Sequence, residues 1–167
     1  TIDTNKDLLL GAKAKLFNLN PDGTVKADGA SLTSIGWTPT HDAALITSTY
    51  GTNVGVLRTN AVSATGYTVK DQEIGVAGQS GPGRYLVLGG NPMRTALASA
   101  PNAATTDAGM HKFLENSMSW LTGRDDLTAA PFKVVIAQMD QSYWFPDEVA
   151  TRTWLDAHYP GKVSYNA

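Results

Sequence analysis

Apolar residues recur at Leu8, Leu9, Ala12, Leu16 and Leu19, close to a helical period, and predict a helix over residues 6–19 with Gly11 as its weak point. Asn20-Pro21-Asp22-Gly23 stops it, because proline removes a backbone donor and glycine admits positive φ. A polar loop over residues 20–34 follows. Short β-branched runs bounded by turn residues come next: Ile35 to Trp37, Ala43 to Tyr50 and Val54 to Thr59, the last two joined by Gly51-Thr52-Asn53 as a hairpin. Ile74 to Ala77 and Arg84 to Leu88 form a second hairpin, with Gly78 to Gly83 as a flexible connector.

Beyond Gly89-Gly90-Asn91-Pro92 the period changes. Met110, Phe113, Leu114, Met118 and Leu121 mark one helical face; Thr106 or Asp107 is the N-cap and Gly123 stands at the C′ position. Lys133 to Gln138 is apolar on both faces, as a central parallel strand would be. Pro146, Asp147 and Glu148 open a further helix with Ala150, Trp154 and Ala157 as its stripe, Pro160-Gly161 closes it, and Val163 to Tyr165 begins another strand. Helix, strand, helix, strand over residues 108–165 is the signature of parallel βαβ winding. The expected fold is therefore α/β, an open and mostly parallel sheet flanked by helices, with a strand-rich, hairpin-containing first half.

At 167 residues the chain suits a single domain over residues 1–167. Charged residues make up only 17%, and Gly, Ala, Ser, Thr and Asn fill the deficit, a flavour common in exported bacterial proteins. The net charge of −2, without any run of Lys or Arg, gives no footprint for nucleic acid or anionic lipid. The absence of Cys removes disulfides, thiolate nucleophiles and Cys-ligated zinc together. Thr1 at the start and Ala167 directly after a strand predict a domain cut from a longer protein.

Gly78-Gln79-Ser80-Gly81-Pro82 comes near a hydrolase elbow, but Pro stands where the last Gly belongs and a strand follows instead of a helix; it reads as a hairpin loop. Asn18 to Gly23 matches the first half of a calcium loop, yet position twelve is Gly29 rather than Glu, so an Asx-type turn is the better reading. His41, His111 and His158 have no ligand spacing and suit surface or capping roles. His41-Asp42 has no accompanying nucleophile. No phosphate-binding loop occurs. On the rule that ligands gather at strand carboxyl ends, Gly89, Gly90, Asn91 and Arg94 share a rim with Gln138, Asp140 and Gln141. Tyr143, Trp144 and Phe145, in a loop past a strand end, are a candidate stacking platform for sugar rings, whereas Trp120 and Trp154 belong to helix faces and the core. The ligand candidates are thus Tyr143, Trp144, Phe145, Asn91 and Asp140, with no catalytic or metal-binding residue assigned.

The stretches LLLGAKAKLFNLNPDG, GWTPTHDAALITSTYG, GRYLVLGGNPMRT, FLENSMSWLTG, FKVVIAQMDQSYWF and TRTWLDAHYPGKVSYNA together resemble one region of the SslE/YghJ/AcfD family. These are accessory colonization factor lipoproteins of Gram-negative bacteria, exported to the cell surface or beyond, with an enhancin-like zinc metalloprotease domain acting on mucin-type glycoproteins. The resemblance implies a non-catalytic accessory domain of such a mucinase, tied to colonisation, virulence and biofilm. It would need no cofactor of its own, and its partners would be other domains of the same chain, with host mucin or matrix a further one. It implies no contact with membrane or nucleic acid. The rivals are a glycan-binding module and a degenerate hydrolase-like domain. GRYLVLGGNPM, followed by a helix ending in WLTG, also resembles class I glutamine amidotransferases, which implies an amidotransferase/flavodoxin-like sheet; the nucleophilic Cys of that fold is missing here.

Overall fold

The computed structural model describes residues 6–36, 45–46, 52–59, 72–90, 108–134 and 145–165. It is a mixed α/β structure with helices α1 (Lys6–Leu16), α2 (Ala108–Thr122) and α3 (Phe145–His158). The strands are β1 (Thr52–Arg58), β2 (Glu73–Ser80), β3 (Gly83–Leu88), β4 (Phe132–Val134) and β5 (Val163–Tyr165). β1, β2 and β3 form an antiparallel sheet in that order, and β4 pairs with β5 in parallel. The expected large, open parallel sheet is not what the described residues form. Among the described residues parallel winding is confined to β4–α3–β5, and the strand-rich half makes its own antiparallel sheet. The reason is connection length: β2 and β3 are joined by Gly81 and Pro82 alone, and so short a link permits only an antiparallel pair. No helix among the described residues is long and apolar enough to cross a membrane.

The second hairpin is longer than its apolar residues suggested. Gly78, Gln79 and Ser80 are strand residues rather than a connector, and the register runs unbroken from Gly75↔Leu88 to Ser80↔Gly83. Gly81, with φ of 55°, supplies the positive φ that a two-residue hairpin turn requires at its first central position. Gly78 faces Tyr85 across the ladder, and a Cβ there would meet the Tyr85 ring at 2.2 Å, so the bare backbone lets the ring lie flat on the sheet. Ile35 and Gly36, expected to begin a strand, are not strand residues in the structure, whereas Ile46 N–H donates to the Glu73 carbonyl at 2.9 Å. The remainder of the expected Ala43 to Tyr50 strand, and Trp37, lie outside the described residues.

One face of the antiparallel sheet builds the core. Val54, Ala77 and Leu86 lie in register across the three strands on that face, and Val56, two residues along β1 from Val54, is in the core with them. Ala12 and Leu16 of α1 and Met110, Phe113 and Leu114 of α2 cover it. Phe113 is wholly buried, and its ring meets Phe17 with centroids 5.7 Å apart. Trp120 is buried as expected, but the second half of the α2 face otherwise differs from the expected one: Ser117 is buried, Met118 is half-buried and Leu121 is exposed. Ser117 is accommodated because its Oγ donates to the Phe113 carbonyl at 2.6 Å. Arg84 of β3 explains Trp120, donating from Nη1 to its carbonyl at 3.0 Å and lying 4.5 Å over its ring. In α3, Trp154 and Leu155 are buried while Ala157, expected on the stripe, faces solvent.

α1 stops earlier than expected. Asn18 adopts φ of 53°, Leu19 N–H donates to the Ala14 carbonyl at 2.9 Å and Asn18 N–H to the Lys15 carbonyl at 3.4 Å. This 6→1 and 5→2 pair is a Schellman ending with Asn at C′, so Pro21 follows the stop rather than causing it. The chain then closes a polar loop on the same residue. Asn18 Nδ2 donates to the Ala30 carbonyl at 3.0 Å, its Oδ1 accepts from Lys26 Nζ at 2.7 Å, and Ser31 Oγ donates to its carbonyl at 2.9 Å. Asp22 Oδ1 accepts from Thr24 N–H and Oγ1, which is the Asx-type turn expected there.

Replacing Phe113 by Ala is expected to cost about 3–5 kcal/mol, read by urea denaturation. Asn18→Ala and Asn18→Gly both remove the loop-closing side chain, so the difference between them isolates the left-handed backbone. Asn18→Ala is expected to be the less stable by about 1 kcal/mol in the same assay.

Candidate functional site

Two helices each present a polar and aromatic pair one turn apart: His111 and Glu115 on α2, Trp154 and His158 on α3. The fold sets these pairs against each other. Trp154 Nε1–H donates to His111 Nδ1 at 3.1 Å, which places the proton of that imidazole on Nε2, because an indole can only donate. His158 stacks on the Trp154 ring with centroids 4.2 Å apart and donates from Nδ1 to the Trp154 carbonyl at 2.9 Å. The His111 and His158 rings stack at 6.1 Å. Beyond them Tyr159 packs edge-on against Trp154 at 6.2 Å and against Phe132 of β4 at 5.4 Å.

His158 and Tyr159 of this array form one wall of a cleft of about 460 Å³, within the ~300–1,000 Å³ common for small-molecule sites. The opposite walls are the end of α1 (Ala14, Lys15 and Asn18) and the turn Asp125 to Thr128. Its floor on α2 comprises Lys112, Glu115, Asn116 and Ser119. Two ion pairs lie inside, Lys15 with Asp125 and Lys112 with Glu115 at 3.0 Å. Glu115 Oε1 also lies 3.9 Å from His158 Nε2. Asn116 Nδ2 donates to the Leu16 carbonyl at 2.9 Å, which ties the α1 terminus to the floor. Burial, and then the Glu115 charge, raise the phenol of the cleft-lining Tyr159 above its ordinary value, so the hydroxyl stays protonated. Hydrogen bonds from the Thr128 hydroxyl at 2.6 Å and backbone N–H at 2.8 Å hold Asp126 below the usual carboxylate value.

Sequence reasoning placed the site elsewhere. Asn91, Asp140, Tyr143 and Trp144, with Arg94, Gln138, Gln141 and His41, lie outside the described residues. Phe145 is the first residue of α3, and its side chain also lies outside what is described. Gly89 and Gly90 end β3, where Gly89 N–H donates to the Ile74 carbonyl at 2.8 Å. Ser80 of the near-elbow is an exposed strand residue paired with Gly83, which agrees with the hairpin reading. His158 is exposed and bonds a last-turn carbonyl, in keeping with its surface or capping reading, and it also shares one aromatic stack with His111. The spacing of four on each helix was visible in the sequence; that the helices face each other was not. Among the described residues no group of three His, Asp or Glu side chains comes together to hold a metal ion.

The Asp126 turn has a pH signature. Its folded-state value is lowered, so its stabilisation is present above the ordinary carboxylate value of 3.8 and is lost as pH falls through the depressed one. Thr128→Val removes the larger cause, and urea denaturation across the acid range is expected to show a shallower loss of stability than in the parent chain. An unchanged acid slope would disprove that assignment. Comparison with family profiles, with curated proteins and with solved structures finds no match to this chain.

Proposed function

We propose that this chain is a non-catalytic accessory domain of a secreted, mucin-targeting zinc metalloprotease at the surface of a Gram-negative bacterium. The family resemblance of its sequence stretches motivates the setting. The observation that carries the non-catalytic reading is the engagement of the reactive-type groups around the cleft. His111 has the one lone pair of its neutral imidazole engaged, accepting at Nδ1 from Trp154 Nε1–H. Ser119 Oγ donates to the Arg124 carbonyl and Thr128 Oγ1 to Asp126, so neither hydroxyl hands its proton to an imidazole. A nucleophile of the Ser–His type depends on that hand-over. Groups arranged in this way hold a shape and present hydrogen-bonding atoms. The domain's work is then positional: it presents the protease to glycoprotein, or engages glycoprotein beside it.

Removing this domain from the full-length protease is expected to raise KM for mucin and leave kcat on a short peptide substrate unchanged, because a positioning element contributes binding without entering the chemistry. The chain alone is expected to leave mucin intact on gel electrophoresis. Cleavage of mucin by the chain alone, lost on His158→Ala, would refute the proposal.

A further inference from the structure

The cleft between α1, α2 and the Asp125–Thr128 turn has a donor and acceptor balance that selects a ligand class. Its carboxylates are Glu115, Asp125 and Asp126, against the ammonium groups of Lys15 and Lys112. Each lysine is matched to one acid, Lys15 to Asp125 and Lys112 to Glu115. An anionic ligand would have to displace a carboxylate from one of these exposed, weak pairs and would still face the third carboxylate, Asp126. A neutral ligand need not break them. What an ion pair offers at its edge is an acceptor beside a donor, and a vicinal diol matches this, since each hydroxyl donates to the carboxylate while accepting from the ammonium. Two such pairs stand in the cleft, one on the α1 side and one on the α2 floor.

The remaining polar groups extend the same pattern. Tyr159 also lines the cleft, and its raised phenol keeps the hydroxyl protonated as a donor. Asn116 uses its Nδ2 on the Leu16 carbonyl, which leaves its amide oxygen as an acceptor. Asp126 receives both Thr128 donors on Oδ1 and keeps Oδ2 as the second acceptor of its carboxylate. The His158 ring, backed by Trp154, gives an imidazole face against which the C–H face of a ring can lie. From this geometry we infer that the cleft is a binding site for a neutral, polyhydroxylated ring, a pyranose sugar. The inference rests on the reading of the domain as non-catalytic, since the sugar is held and not cut.

The test uses lactose as probe, with putrescine and acetate as the cationic and anionic comparisons, followed by amide NMR of the 167-residue chain. Lactose is expected to give saturable shifts at Glu115, Asn116, Thr128 and Tyr159, and neither charged probe is expected to do so. Tyr159→Phe keeps the ring contacts with Trp154 and Phe132 and removes only the hydroxyl; it is expected to weaken lactose about fivefold, the factor for one neutral hydrogen bond. Thr153→Ala, on α3 away from the cleft, is expected to bind as the parent does. Circular dichroism of Tyr159→Phe confirms that its fold is retained, and Lys112→Gln provides an independent variant that is also expected to weaken lactose. Absence of lactose shifts, or shifts with putrescine or acetate alone, overturns the sugar site and leaves the non-catalytic reading standing. Conversion of the lactose anomeric signals to those of free galactose and glucose overturns the non-catalytic reading itself.

Discussion

Phe113 and Met110 expose no surface to solvent, and the elements on either side of α2 are placed by the need to keep them so. On one flank α1 lays Ala12, Leu16 and Phe17 against α2. Beneath, the inner face of the antiparallel sheet supplies Val54, Val56, Ala77 and Leu86. On the other flank Trp154 reaches His111 through its indole N–H. Burying an apolar side chain contributes roughly 25 cal/mol per Å² removed from water, so a helix with several such residues on one stripe dominates the packing around it. The cleft exists because that stripe is one-sided. The opposite face of α2, with Lys112, Glu115, Asn116 and Ser119, is left for the polar elements to enclose.

The polar structure is economical in the same way. Asp22, Asp28 and Asp126 each accept from a backbone N–H two residues on, which closes their turns without help from the core. Asn18 ends a helix and closes a loop with one side chain. Tyr165 braces β5 to α3, donating to Asp156 Oδ1 at 2.9 Å beneath the Arg152 guanidinium, and burial together with that bond pushes its phenol up to about 12. A chain with few charges and many Asn, Ser and Thr residues obtains its irregular backbone from such local bonds rather than from long-range ion pairs.

Much of the fold was legible in the chain. The α2 helix, its Gly123 terminus, the Ile74–Leu88 hairpin and the parallel pairing across α3 follow from periodicity and turn residues, which are local properties. Errors arose where neighbours outrank period. Leu121 fits the α2 stripe as well as Trp120 does, but Arg84 lies over the indole and selects Trp120 for the interior. Gly78 looked like loop because glycine is a turn residue, and became strand because Tyr85 covers it.

The sequence by itself determined the chemistry in hand: three histidines, no thiol, scarce and balanced charge, and two helices carrying i, i+4 pairs of polar and aromatic residues. Only the tertiary structure decided that His111 and His158, 47 positions apart, flank a single indole, and that Lys15 meets Asp125 across 110 residues. Periodicity states which face of a helix is apolar, and so which side turns inward. It does not state which other helix that side will meet, because crossing positions are set by the shapes of side chains packed to crystal-like density, a property of the whole core and of no segment alone.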